Sequence, residues 1–456
     1  SRAVAIGYGA LFAQNHGGNS YNVAMGYNTG TSISTGVTNT LIGGLAGDAI
    51  TTGSGNTAVG YQALTTEDAN GTTTAIGQKA LMLQNAGAES YNTAVGYDAG
   101  QQVTTGNENT LIGGRAGEAL TTGGGNVALG KSALADETTG GNNVAIGRDS
   151  MSSSQLSQNN VAVGIQTLQN VTNSTLKNTY NVAVGAYAGM DITTGERNIL
   201  IGGFAGDDLT TGEDNVAIGY NAIGGVTTGS YNLAIGREAG GVLTSGNSQV
   251  LIGYQAGKAL TTGARNVAIG HQALFAEDEH GRNVAVGFMS LNALNAGGDS
   301  YNTAVGYGAG SVLTTGSRNT IMGGSAGDAL TTGSDNVAIG YSALSTEDTG
   351  GKNIAVGRGA LGTLDAGGDS YNVALGYFSA TALTTGNSNI TIGYNSAYQL
   401  TTGTSNVVIG TNAMISANGS ESKNIAIGAG TLANLDSDGD NYNVAIGHNA
   451  GNDITT

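Results

Sequence analysis

One five-residue phrase, repeated from end to end, restricts this chain to a stacked repeat architecture. The phrase is Asn-x-Ala-z-Gly, with Ile, Val, Leu or Met at z. It starts at Asn22, Asn56, Asn92, Asn126, Asn143, Asn160, Asn181, Asn215, Asn232, Asn266, Asn283, Asn302 and Asn336, and continues to Asn443. Variants such as Asn39-Thr-Leu-Ile-Gly and Asn198-Ile-Leu-Ile-Gly fill the gaps. Ala3, Thr73 and Gln249 take the Asn place in three copies, for a total of 26. From residue 181 the starts fall at 198, 215, 232, 249, 266 and 283, a step of 17 each time. A few steps are longer: 18 before Asn424, 19 before Asn22, Asn92, Asn302, Asn372 and Asn443, and 21 before Asn181. A fixed period of this length marks units that bury apolar surface only by stacking on their neighbours.

The wording within one period predicts the coil. In residues 215–231, alternation sets Val216 and Ile218 on one face of a short strand and Ala217 on the other. Gly219 stands where the strand must turn. A second strand is expected around Val226, ahead of Thr227-Thr228, with Gly229 making the return turn. A helix is excluded, because four Gly in 17 residues would each weaken it. The expectation is an all-β fold, a parallel β-solenoid of about 26 coils with two short strands per coil. It forms one continuous domain over residues 1–456, without visible caps. At ~4.8 Å per coil the rod would be roughly 125 Å long. The motif Asn side chains are expected to stack as a ladder, and Thr pairs such as Thr51-Thr52, Thr104-Thr105 and Thr331-Thr332 as a second one. The alternate face, Ala217 and its equivalents with Leu41, Leu111, Leu200 and Leu251, reads as an outward apolar stripe. A parallel homotrimer would cover it. Ser1-Arg2 and Thr456 look like interrupted coils, so end-to-end stacking or a longer fibre is also expected.

A slower rhythm lies over the coils. Tyr precedes the motif Asn at Tyr21, Tyr91, Tyr180, Tyr231, Tyr301, Tyr371 and Tyr442, with gaps of 70, 89, 51, 70, 70 and 71. Four coils therefore form a block of about 70 residues. Each block should carry a Tyr-bearing bulge on one edge.

Composition narrows the function. The chain has 80 Gly and neither Pro, Cys nor Trp, and its net charge is −17. Nucleic acid is excluded as a partner, since phosphate binding needs Lys and Arg in excess. Docking on an anionic membrane is disfavoured. No apolar run approaches the ~20 residues of a membrane span. An enzyme is not expected either. The four His are His16, His271, His280 and His448, and only His271 and His280 stand near each other. They flank Glu277-Asp278-Glu279, read as a solvated acidic turn that could take a divalent ion. No cofactor is expected, calcium being the one left open. Its weak candidate is Asp436, Asp438 and Asp440, oxygen ligands at alternate positions of a Gly-containing turn.

The phrase Asn-Val-Ala-Ile-Gly, followed a few residues later by Ala or Ser, resembles the head repeats of YadA-like trimeric autotransporter adhesins. Asn-Thr-Ala-Val-Gly-Tyr-x-Ala, found at residues 56–63 and 302–309, is similar to repeats of phage and bacterial tail-fibre-like proteins. The resemblance implies a left-handed β-roll, homotrimeric, in an exterior fibre on a cell or virion surface that binds host surfaces or matrix. The resulting expectation is a structural or adhesive extracellular fibre, with end-to-end self-assembly as an open option. The alternative is a carbohydrate- or surface-ligand-binding module. Its ligand would stack on the bulge residues Tyr21, Tyr91, Tyr231, Tyr301, Tyr371 and Tyr442, because aromatic rings suit sugar faces.

Overall fold

The structure is a computed structural model and describes residues 2–69, 71–225 and 228–455. The chain forms two compact units, Ser1–Ser230 and Tyr231–Thr456. Each is a parallel β-solenoid, and the two together contribute 26 short strands, one for each copy of the phrase. The first unit runs from β1 (Val4–Ile6) to β15 (Val216–Ile218), and the second from β16 (Leu233–Ile235) to β28 (Val444–Ile446). Within each unit, consecutive coils pair residue for residue. Val337, Ala338 and Ile339 face Ile354, Ala355 and Val356. The register survives the longer coils, since Ile354 still faces Val373 nineteen residues on.

Each coil has one strand of three residues where two were expected. The return side still hydrogen-bonds from coil to coil, as in Thr104 N–H to Thr121 C=O at 2.9 Å and Thr314 N–H to Thr331 C=O at 2.8 Å. Its backbone is bent rather than extended. The seventh and ninth coil positions adopt left-handed φ, as at Gln62 (57°) and Leu64 (54°), which turns the chain between the strand and the return side. The expected apolar position Val226 and its neighbour Thr227 lie outside the described residues. Among the described residues, only β10 (Gln155–Gln158) and β12 (Thr172–Asn178) form a strand pair on this side, where the 21-residue coil begins its detour.

The two faces of the strand are the reverse of the expectation. Ala217, Leu41, Leu111, Leu200 and Leu251 are fully buried. The flanking Val216 and Ile218 are only partly covered. The reason is the narrowness of the coil. Where the third position is Leu or Ile, the ninth is Gly. Leu41 pairs with Gly47 and Leu251 with Gly257, whereas Ala58 pairs with Leu64 and Ala338 with Leu344. A Cβ added at Gly257 would lie 2.7 Å from Leu251 Cδ2. Close packing of this kind leaves no room for a second large side chain.

The Asn ladder forms as expected. The Asn302 side-chain oxygen accepts from Asn319 N–H at 2.9 Å, and Asn319 does the same for Asn336 at 2.9 Å. In many coils the amide nitrogen donates across the coil to a glycine carbonyl, as Asn319 does to Gly333 at 2.9 Å. One side chain thus satisfies buried groups on both sides of the coil. The first Thr of each pair adds a second ladder, Thr314 Oγ1 donating to Thr331 C=O at 3.0 Å. The glycine that closes each strand is required twice over. Gly340 has φ +132°, and a Cβ there would lie 2.6 Å from the Gly357 carbonyl of the next coil.

Candidate functional site

The strand presents its second and fourth residues outward. Across all 26 strands the fourth residue is Ile, Val, Leu or Met, and the second is Val, Ile, Leu or Thr. No charge interrupts either column. Ile199, Ile201 and Ile390 are each 40 % exposed, and Met322 is 42 % exposed. This is a flat, uncharged sheet face carried along every coil of each unit. Contiguous apolar surface beyond a few hundred Å² marks an interaction site.

The bulge tyrosines lie on the surface, from Tyr21 at 50 % to Tyr231 at 65 % exposed. Several already hold a cation. Arg2 sits over Tyr21, Arg282 over Tyr301, Lys352 over Tyr371 and Lys423 over Tyr442, with the charge 5.0–5.8 Å from the ring centroid. Three of these cations also pair with an aspartate two residues before the Tyr. Arg282 meets Asp299 at 2.5 Å, Lys352 meets Asp369 at 2.5 Å, and Lys423 meets Asp440 at 2.6 Å. The result is a Tyr–cation–Asp clasp that ties a bulge to the coil before it. Tyr91 departs from it, its hydroxyl donating to Glu89, which raises the phenol's pKa.

Four glutamates are buried, one of them Glu277, which the sequence placed on a solvated turn. Glu67, Glu137, Glu277 and Glu347 are 0 % exposed. Each stands eleven residues after its motif residue, where Leu120 and Leu330 fill the core in other coils. Glu137 is well satisfied. Its Oε1 accepts from Gly140 N–H at 2.8 Å and Leu156 N–H at 3.0 Å, and its Oε2 accepts from Ser157 N–H at 3.1 Å. Glu277 receives long bonds from His280 N–H at 3.2 Å and from Ala296 N–H at 3.4 Å. Burial therefore pushes its carboxyl up to about 7, and it raises Glu347 as well. These side chains reach the backbone of the following coil, and in the second unit that coil is a 19-residue one. Their role is to anchor a bulge.

Among the described residues, two groups place ligand atoms close enough to share a metal ion: Glu277, Asp278 and His280, and Glu347, Asp348 and Asp365. His271, the other half of the sequence-based cluster, is elsewhere. It stacks between Tyr254 and Phe288, 5.0 Å from each. The calcium candidates Asp436, Asp438 and Asp440 do not converge into such a group. Asp438 accepts from Ser420 N–H at 3.2 Å, and Asp440 is taken by Lys423.

A further column was missed in the sequence. The residue after the strand glycine is often aromatic, and these rings stack from coil to coil. Tyr254, His271, Phe288 and Tyr307 form a run with centroids 5.0–5.1 Å apart, and Tyr8 stacks on Tyr27 at 5.6 Å. The signal was available, since Tyr follows the motif Gly at residues 8, 27, 61, 97, 220, 254, 307, 341, 377 and 394.

These features define an all-β repeat protein of the parallel β-solenoid class. Among the described residues, no helix is long and apolar enough to cross a membrane. No protein-family model matches the chain, and no curated protein matches it.

Proposed function

We propose that this chain is a structural fibre element of an exterior surface, in which copies associate side by side through the outer face of the strand column. The observation that carries this reading is the outward, partly exposed strand face of Val, Ile, Leu, Met and Thr, with no charge at any of its positions. A partner that matches a 17-residue strand period along its whole length is most simply another copy of the same chain. Three copies in parallel, each with this face turned to a common axis, cover it completely. The resemblance to trimeric adhesin heads and tail-fibre repeats points the same way, as does an acidic remainder that keeps finished fibres apart.

Light scattering on the pure chain tests the reading. A mass three times 45.0 kDa supports it. Paired changes such as Ile199→Lys with Ile201→Lys should then release single chains without lowering the melting point of the coil. A chain that stays at 45.0 kDa at micromolar concentration would refute it.

A further inference from the structure

Each unit carries a groove beside the aromatic column. In the first it is lined by Tyr8, Gly9, Phe12, Tyr27, Asn28 and Thr31. In the second it is lined by Phe288, Tyr307, Ser311, Ser325 and Asp328, among others. Tyr8 and Phe288, Tyr27 and Tyr307, and Thr31 and Ser311 are equivalent positions, each pair 280 residues apart, which is four 70-residue blocks. The same recess has therefore been built twice, around the same stacked pair. Tyr8 lies 12° from coplanar with Tyr27, and Phe288 lies 6° from coplanar with Tyr307.

In both places the stack stops in the same way. The next coil has glycine where the ring would be, Gly44 after Tyr27 and Gly324 after Tyr307. One coil further on stand Tyr61 and Tyr341, whose rings lean over that glycine. A Cβ on Gly44 would lie 3.6 Å from Tyr61 Cδ2, and one on Gly324 would lie 3.5 Å from Tyr341 Cδ2. The backbone positions of Tyr27 (59 % exposed) and Tyr61, and of Tyr307 (66 % exposed) and Tyr341, are thus two coil steps or roughly 9.6 Å apart, with the glycine between them. Polar groups line the groove beside each stacked pair. Thr31 uses its proton on the Gly9 carbonyl at 3.0 Å, so its oxygen lone pairs stay free, and Asn28 stands beside it. In the second groove the Ser325 hydroxyl bonds Asp328, whose carboxylate is half-buried at the edge.

We propose that these two grooves bind an uncharged saccharide. A pyranose ring would lay its C–H face on Tyr27 or Tyr307. Its hydroxyls would meet Asn28 and Thr31 in one groove, and Ser311, Ser325 and Asp328 in the other. A flat apolar platform ringed by hydroxyl, amide and carboxylate groups fits a ligand with apolar faces and a polar rim. No Lys or Arg lines either groove, and Asp328 borders one, so phosphorylated or acidic sugars are disfavoured. The bulge tyrosines are a different surface, already capped by their own cations. The proposal is independent of side-by-side assembly, because saccharide binding is read whatever the mass of the particle.

The test is calorimetric titration of the full chain with neutral gluco-, galacto- and manno-oligosaccharides and with their sialylated counterparts. At least one neutral series should bind, and sialylation should not tighten it. The pair Tyr27→Ala with Tyr307→Ala should weaken that binding about tenfold or more. Gly44→Gln with Gly324→Gln should do the same by filling the glycine gap beside the stacked pair, in a form the fold accepts, since Gln78 occupies the equivalent position. Tyr301→Ala with Tyr371→Ala should leave it unchanged. Binding of no neutral saccharide, or binding that survives both groove variants, would overturn the proposal.

Discussion

The strand side and the return side of the same coil behave differently. The strand side is uniform. Its three residues, the Asn before them and the Gly after them keep one register across every pairing within a unit. The return side varies in length from coil to coil and exchanges Leu330 for Glu347 at the same core position. The difference lies in what each side must satisfy. The strand side holds a continuous ladder in which every Asn serves the next coil, and every Gly lies too close to its neighbour for any side chain. The return side joins coils through single hydrogen bonds and can bulge, provided a buried Glu or a Tyr–cation–Asp clasp fastens the extra residues. Loop-closure entropy grows slowly with length, so two added residues cost little there.

The largest expected effect comes from the strand side. Gly340→Val places a side chain against the Gly357 carbonyl and should destabilise the second unit by more than about 4 kcal/mol, or prevent its folding. Thermal unfolding by circular dichroism would show it. Asn319→Ala is next. It removes the acceptor of Asn336 N–H and the donor to the Gly333 carbonyl, and should cost about 2–4 kcal/mol in chemical denaturation. If the loss proves to be a few tenths, the ladder is decoration rather than structure.

The return side predicts subtler effects, and the first is an effect of pH. The Glu277 carboxyl titrates near 7 when folded and near 4.5 when unfolded. Between those values the folded chain binds the extra proton, so its stability is highest in mild acid and falls as pH rises towards 7. Melting at pH 5 should exceed melting at pH 8 by the equivalent of about 2 kcal/mol. Glu277→Gln should remove that contribution. The smallest effect is an insertion. Two glycines after Thr332 should cost about 1 kcal/mol or less. The same two after Met322, on the strand side, should unfold the neighbouring coils. Equal outcomes at the two sites would erase the contrast between the sides.

The strand side was also the legible part of the sequence. The 17-residue step, the Asn ladder, the turning glycine and the absence of helix all follow from spacing and residue type. What alternation could not supply was its sign. Val-Ala-Ile reads equally well with either face inward, and greater hydrophobicity favours Val and Ile for the core. The structure puts Ala inside because the coil is thin. The clue lay six residues further on, in the reciprocal exchange of Leu41 and Gly47 for Ala58 and Leu64. The expected second strand did not form, because the Thr pairs sit in a bend that still bonds from coil to coil, while Val or Leu ahead of Thr-Thr reads as extended chain in the sequence. Of the candidate sites, the bulge tyrosines were found, but their cations were not, because Lys352 and Tyr371 lie nineteen residues apart and meet only through stacking. Glu277 was misread as part of a surface turn because charge usually means solvent, and the other buried glutamates were not singled out. Their recurrence at 67, 137, 277 and 347, in step with the 70-residue block, was the better guide.

The central claim is that Ala faces in, and that Val and Ile face out onto a neighbouring copy. The chain has no cysteine, so a single one can report it without interference. The reaction rate of a thiol reagent with Ala338→Cys and with Ile339→Cys should be measured at dilutions where chains are separate and at concentrations where they assemble. The account predicts that residue 338 is protected under both conditions, and that residue 339 reacts when dilute and becomes protected on assembly. A reactive 338 beside a protected 339 in the dilute chain would contradict the facing. A residue 339 that reacts equally at every concentration would contradict the interface.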